Sequence, residues 1–509
     1  MTRKYKGGLD VSTRQVNAEG KLPFTTKFFY GAGDIFGGGA LILIGFYYLF
    51  FLTEVAGLSP ALAGMVLMLG KGWDAISDPL MGYITDQTKS RFGRRRIYFL
   101  AGILPIIITF TLLWSTPAME SQFGLFLFFL VMNILFNTTI TMVMVPYNAL
   151  IPELTPSYNE RSSLTGFRMA FSNLSSLVSA AVPMLIVGSF EQLSTGYIYM
   201  GLTFGLIFAL PLIGTFLVSF EQPHHHVKTK LDLIKDVKDT MTNRCFRTLT
   251  GIYLLTFLAI DVISAVLMYY MTYVIGRGEE LYISLVFGIL LLVQTLSLLA
   301  YVPIAKKYGK KTSYYIGTII WMLLVPILFI VGTETPIWVV FIIAGLIGVG
   351  TSGAAFSPWA MLPDVLDVDQ LATGKRRQGT YAGVMTFLRK LSTAIALMIV
   401  GWIIQFSGYT APQEGIATVQ PDSFVLAVRL LVSTAPILLL LISLFGFARH
   451  YNLTCAIHGQ VQSVLEKRSE DEAVAVDETT TSLIRLLYNP NYIPTENTSE
   501  IGKDKTNGS

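Results

Sequence analysis

The segment Lys71-Gly72-Trp73-Asp74-Ala75-Ile76-Ser77-Asp78-Pro79 sets three ionisable side chains inside an otherwise apolar run. At helical pitch Lys71, Asp74 and Asp78 fall three and four residues apart and share one face. Two carboxylates a turn apart repel, so something cationic must sit between them. The candidates are a proton, a metal cation, Lys71, or a base from another helix such as Arg168 or Lys390. Hard cations such as sodium prefer oxygen ligands, and Asp74, Ser77, Asp78 and Thr141 could supply them. A charge in hydrocarbon costs about 2.5 to 3.5 kcal/mol or more, so such residues face a cavity or a partner. A purely structural ion-pair network gains little from two acids on one face. The pattern therefore reads as a cation-binding site.

Asp34 precedes Gly37, Gly38 and Gly39, whose bare backbone admits either a ligand or a neighbouring helix. Asp261 is a second lone acid in an apolar run. Arg168 and Lys390 are lone bases on helices expected to line a cavity. Aromatic residues including Tyr30, Tyr47, Tyr48, Tyr269 and Tyr270 suit stacking on sugar rings, although interfacial belts also account for them.

The elements that must position these residues are membrane helices. Of 509 residues 52% are hydrophobic and 14% charged, and the mean hydropathy is +0.57. A soluble chain carries roughly a quarter charged residues. The net charge of +4 is dispersed and argues against nucleic acid. About twelve runs reach spanning length, near 27–53, 58–86, 97–116, 122–152, 161–189, 196–220, 245–276, 281–307, 312–332, 336–363, 379–406 and 424–450. Lys89, Arg91, Arg94, Arg95, Arg96, Lys306, Lys307, Lys310, Lys311, Lys375, Arg376 and Arg377 crowd one set of loops; the alternate loops hold only Arg277 among bases. Both termini are thus expected in the cytoplasm. No apolar core of signal-peptide length occupies the first residues, so the first spanning segment is expected to direct insertion and the N-terminus to be kept.

Polar residues 221–244 divide the runs into two sets of six. The expected domains are a cytoplasmic N-terminal segment (1–26), a six-helix bundle (27–220), a cytoplasmic linker (221–244), a second bundle (245–450) and a cytoplasmic tail (451–509) that is largely unstructured. Within the linker Leu233, Ile234, Val237 and Met241 recur at helical spacing, as in a short amphipathic helix on the membrane surface. His224, His225 and His226 read as a solvated tract, and Cys245 and Cys455 as ordinary thiols. The halves echo one another. Pro146-Tyr147-Asn148-Ala149-Leu150-Ile151-Pro152-Glu153 ends the fourth run and Pro358-Trp359-Ala360-Met361-Leu362-Pro363-Asp364 the tenth; Phe167-Arg168 and Phe387-Leu388-Arg389-Lys390 follow. Parallel repeats facing across a central cavity leave this signature.

Trp73 to Pro79, with Tyr30-Gly31-Ala32-Gly33-Asp34 upstream, resembles the glycoside-pentoside-hexuronide:cation symporter family. The likeness continues through Asp86, Ser90 to Arg96, Val145-Pro146-Tyr147, Glu160-Arg161, Phe167-Arg168, Asp364 to Asp367 and Lys390, and spans roughly 24–450. It implies an all-α membrane protein of about twelve transmembrane helices in two six-helix bundles, the major facilitator fold. It implies cation-coupled symport of a sugar or glycoside by alternating access, sodium or a proton being the coupling cation, with no other cofactor and no catalysis. Asp74, Ser77, Asp78 and Thr141 match cation-site positions, Ser77 replacing an asparagine. Asp34, Arg168, Lys390, Tyr30 and Asn148 are the implied substrate residues, and Asp86, Arg91, Gly93, Arg94 and Arg95 a conformational loop. The acids that anchor galactosides fall at Gly38 and Met144, which turns the expectation toward a hexuronide or pentoside. A lysolipid branch of the wider family shares the Trp-Asp-Ala-Ile-x-Asp-Pro segment and is the alternative cargo; a non-transporting sensor is the alternative of another class. The expected setting is a monomer in the plasma or inner membrane.

The orientation has a direct check. Single cysteines replacing Glu120 or Glu414, in a cysteine-free background, should react with an impermeant thiol reagent in intact cells, and cysteines replacing Lys89 or Lys310 should not. The reverse pattern overturns it.

Overall fold

The computed structural model describes residues 21–155, 157–221, 233–412, 419–470 and 478–491, with the side chains of 158, 233, 234, 468–470 and 479 excepted. The His224 to His226 tract and Glu414 lie outside these residues. Helices stand at all twelve expected places. The first bundle holds α1 (Phe24–Tyr48), α2 (Pro60–Gln87), α3 (Ile97–Leu113), α4 (Gln122–Leu154), α5 (Tyr158–Ala181) and α6 (Leu193–Val218). The second holds α7 (Arg244–Val274), α8 (Glu280–Tyr308), α9 (Lys310–Ile330), α10 (Ile337–Thr373), α11 (Gln378–Phe406) and α12 (Asp422–His450).

Local chemistry sets the helix starts. Pro60 enters α2 at its first turn, where no amide partner is lost. The Ser121 and Asn243 side chains cap α4 and α7 by accepting from the Gly124 and Phe246 amides. Interior prolines at 79, 146, 152, 358 and 363 persist because neighbouring helices stabilise the bends.

Packing repeats between the halves. α1 packs on α5 as α7 packs on α11; α2 packs on α4 as α8 packs on α10; α3 packs on α4 as α9 packs on α10. Between the halves, α2 meets α11 and α5 meets α8. At the end of α2 away from the linker, glycines bring the backbones together: a Cβ on Gly401 would lie 2.4 Å from the Pro60 carbonyl oxygen, and one on Gly64 3.0 Å from that of Leu397. The same far face is tied by Thr53 Oγ1 to Tyr269 Oη at 2.5 Å and by Tyr273 Oη donating to Glu54 at 2.6 Å. Deeper toward the linker face, Asp78 is one-third exposed and Asn148 is exposed. The space between the bundles therefore opens toward the linker face.

The tail corrects the expectation of disorder. Cys455–Glu470 and Glu478–Leu487 form helices α13 and α14, both on the linker-face end of α10. Val461, Ile484 and Leu487 are fully buried there, and the Arg244 amide donates to the Tyr488 carbonyl at 2.8 Å. Apolar residues at helical spacing outweigh the polar average of the tail. The linker helix Leu233–Met241 forms as expected, but it packs against α7 and α11 with Thr240 buried.

Candidate cation and solute site

α2 and α11 position the central charges from opposite bundles. Lys390 Nζ of α11 lies 3.0 Å from Asp74 Oδ2 and also pairs with Asp78 Oδ2. Thr141 of α4 lies behind them, its Oγ1 3.0 Å from Asp74 Oδ1 and 2.9 Å from Asp78 Oδ1. Ser77 Oγ is 3.2 Å from the same hydroxyl. All four expected cation residues thus converge, with a base from the other bundle seated on the acids. Thr141 has one proton for two carboxylate oxygens. With both acids ionised, its second contact is oxygen against oxygen, a geometry suited to a shared proton or a bound cation. Lys71, on the same helix face, makes no hydrogen bond or ion pair among the described residues and lies in the field of Asp74, Lys390, Asp261 and Arg389.

A second cluster joins α1, α4 and α5. Arg168 Nη2 is 3.3 Å from Asp34 Oδ2 and donates to Asn148 Oδ1 at 2.6 Å, with its guanidinium 4.6 Å from the Tyr147 ring centroid. Asp34, Arg168 and Asn148 come together. Tyr30 does not join them. It is fully buried, stacks on Tyr147 with ring centroids 4.7 Å apart, and donates to the Tyr147 carbonyl at 2.5 Å. Its hydroxyl is committed to holding α1 on α4. The glycines after Asp34 also serve packing: a Cβ on Gly38 would lie 2.3 Å from Ser172 Oγ, and one on Gly39 2.2 Å from Ser175 Oγ.

The second bundle carries a pair absent from the expected site. Arg389 grips Asp261 in a bidentate pair at 2.6 and 2.7 Å, Thr393 Oγ1 donates to the same carboxylate at 2.9 Å, and the guanidinium lies over Phe257. It bridges α7 and α11 as Asp34 and Arg168 bridge α1 and α5. The signal was present in the alignment of Phe167-Arg168 with Phe387 to Lys390, which carries two bases where the first half has one.

At the linker face Arg95 pairs with Asp86 at 2.9 Å and with Glu153 at 2.6 Å, and Arg94 pairs with Glu153. Glu221 accepts from the amides of Arg94, Arg95 and Arg96, each at 2.9 Å. Gly93 has φ +104°, and a Cβ there would lie 2.4 Å from Glu221 Oε1. Asp86, Gly93, Arg94 and Arg95 thus act as a unit, completed by Glu153 and Glu221. Arg91 stands apart, over the Phe92 ring. The second half answers with Lys310 on Asp364 at 2.6 Å and Arg377 on Asp369 at 2.5 Å.

The Asp261–Arg389 pair yields a stability test. Removing one partner strands the other in a membrane-embedded bundle, costing about 3 to 5 kcal/mol. Asp261→Asn and Arg389→Gln should each lower the thermal midpoint of the purified protein, and the double variant should recover part of that loss. Additive losses would show that the two charges do not depend on each other.

Comparison with known proteins agrees with this architecture. An uncharacterized symporter of Synechocystis sp. is 32% identical, the match covering 91% of this chain and all of that protein. The sodium-dependent lysophosphatidylcholine symporter 1-A of Danio rerio is 26% identical over 85% of this chain and 87% of its own length. Among solved structures, a bacterial homologue of the lysosomal transporter Spinster, inward-facing, superposes with a TM-score of 0.61 at 12% identity over 83% of this chain and 95% of that one. The D-xylose–proton symporter gives 0.56 at 16% identity over 82% and 97%. Residues 29–455 match the MFS/sugar transport protein family in a stretch that takes in nearly all of both bundles and the central charge pairs between and within them, and the chain belongs to that family, as a multi-pass membrane protein of the major facilitator superfamily.

Proposed function

We propose that this protein carries a small anionic or polar sugar derivative, a hexuronide or a related glycoside or pentoside, together with sodium or a proton. The observation that carries the reading is Lys390 seated on Asp74 and Asp78 from the opposite bundle. A cation entering the oxygen set of Asp74, Ser77, Asp78 and Thr141 displaces the ammonium, which then turns to the solute. Charge supports an anionic cargo. Asp34, Asp74, Asp78 and Asp261 balance Lys71, Arg168, Arg389 and Lys390, so a bound monovalent cation leaves one positive charge that a uronate carboxylate would neutralise. Arg168 and Asn148 present donors to carboxylate and hydroxyls. In this reading the protein works as a monomer in the cell membrane with both termini and the linker in the cytoplasm.

A second cargo has its own support. The lysophosphatidylcholine symporters match across most of the chain, and Gly38 and Met144 stand where galactoside-anchoring acids would be. The same surplus charge would hold a lipid phosphate.

The test is uptake into vesicles of labelled glucuronides, pentosides, galactosides and lysophospholipids, with and without a sodium gradient and with an uncoupler. Asp74→Asn and Asp78→Asn should abolish uphill accumulation while leaving the protein folded. They should also remove at least about tenfold of cation-stimulated solute affinity, since ion and solute stabilise each other reciprocally. Normal accumulation with wild-type ion dependence in both variants would sink the assignment. Uptake confined to lysophospholipids would replace the cargo and keep the ion site.

A further inference from the structure

The far-face closure holds an acid that the transport reading does not use. α1 continues beyond its span as a π-helical turn, Phe51–Val55, and α7 ends in a matching π-helical turn, Tyr270–Val274. The hydrogen bonds correspond one for one: Ala56 to Phe51 and Leu58 to Leu52 in the first, Ile275 to Tyr270 and Arg277 to Met271 in the second. Each turn ends on a left-handed glycine, Gly57 at φ 70° and Gly276 at φ 68°. Phe50 to Gly57 therefore aligns with Tyr269 to Gly276, and Glu54 and Tyr273 hold the same place in their repeats. They meet each other. Tyr273 Oη donates to Glu54 Oε2 at 2.6 Å, next to the Thr53–Tyr269 bond. The acid thus sits where the repeats face one another and bridges the bundles.

Its environment is a poor one for a charge. Oε1 is buried with no hydrogen-bond partner, and so is the hydroxyl of Tyr409, the next phenol facing it. The titratable groups turned toward Glu54 are Tyr269 and Tyr273 from α7, Tyr409 from the segment after α11, and Tyr197 from α6. Phe424 packs against Tyr269, Tyr273 and Tyr409 and closes the cluster. No Lys or Arg is among the groups acting on the carboxyl.

We propose that Glu54 is a proton-binding site of the far-face gate: the bundles close there on the neutral carboxyl, and ionisation of Glu54 favours their separation. A neutral carboxyl has an O–H to give to Tyr409, which satisfies both orphaned atoms after a small side-chain rotation. A carboxylate in the same place can draw on the phenols of Tyr273 and Tyr409 but has no counter-charge. Opening the face exposes the acid to water, where the charged form is stable. The proton enters and leaves on the far face, so it regulates the gate and is not transported. π-helical turns at the ends of α1 and α7 suit the role, being rare turns that recur at functional positions.

The direction with pH follows from linkage. Burial pushes the Glu54 carboxyl up to about 7 in the closed face, against an ordinary value near 4.3 when exposed. A raised value means that the closed state gains stability at low pH and loses it as pH rises through about 7. Between pH 6 and 8 the closed-to-open ratio should fall about tenfold.

The experiment uses the full-length protein in nanodiscs without solute or sodium. Spin labels on Met119→Cys and Leu281→Cys, in a Cys245→Ala, Cys455→Ser background, report the far-face separation by pulsed electron resonance. The longer-distance population should grow with a midpoint near pH 7 in the wild type. Glu54→Gln should remain closed across the range, and Tyr273→Phe, which removes the donor to the carboxylate, should move the midpoint upward. Asp74→Asn should leave the pH response in place, which separates this site from the coupling acids. A distance distribution indifferent to pH in the wild type, or an unchanged pH response in Glu54→Gln, would overturn the proposal.

Discussion

Everything in the membrane core is organised around one ammonium group shared by two carboxylates. Asp74 and Asp78 are one turn apart on α2, and their repulsion in a medium poor in water exceeds what helix packing alone could hold. Lys390 relieves it, but from the other bundle. The Thr141 hydroxyl, offering one proton to two acceptors 3.0 and 2.9 Å away, leaves the set still short of positive charge or protons. A site so arranged is stable enough to fold and unsatisfied enough to bind.

The flanking charges are solved differently, within each bundle. Asp34 with Arg168 ties α1 to α5, and Asp261 with Arg389 ties α7 to α11. At the linker face Arg94 and Arg95 on Glu153 find an answer in Lys310 on Asp364. Such internal pairs make each bundle a unit that can rotate without breaking its own buried charges. The contacts between bundles are of another kind: glycine-to-backbone approach, aromatic packing of Phe46 and Tyr47 on Phe287, single hydroxyl bonds and the Lys390 bridge. Rigid halves whose mutual contacts can separate are what rocking about a central site requires.

Much of this was legible in the sequence, and the reason is lipid. A span of about 20 apolar residues has few readings, so the twelve helices and the shared face of Lys71, Asp74 and Asp78 follow from pattern alone. Repeats exposed the paired Pro-aromatic motifs. What pattern could not supply was direction in space. Tyr30 looked like a sugar-facing aromatic and is sealed against Tyr147; Glu54, just past the first apolar run, is wedged between bundles. Arg389, beside Lys390, points to Asp261 in its own bundle while its neighbour crosses to the other, because adjacent helical residues are turned about 100° apart. The tail misled for a different reason. Its average polarity hides two helices with apolar faces, and averages do not register faces.

In the proposed function, the partition of charges between bundles carries the coupling logic. Lys390 belongs to the second bundle and its two acids to the first, so the strength of that bridge depends on both the distance between bundles and what occupies the oxygen set. A cation among the oxygens weakens the bridge at any separation, because one of the two carboxylates is then neutralised and Lys71 lies in the field of Asp74. The freed ammonium keeps its own need for an anion in a medium that penalises isolated charge. A solute carrying a carboxylate or phosphate can meet that need, and with it present the cavity is again electrically balanced. Ion alone and solute alone each leave a net charge in the low-dielectric cavity, whereas both together or neither leave none. A carrier whose bundles close only over a neutral cavity would therefore reorient empty or fully loaded and resist every half-loaded state, which is the condition for using one gradient to drive the other.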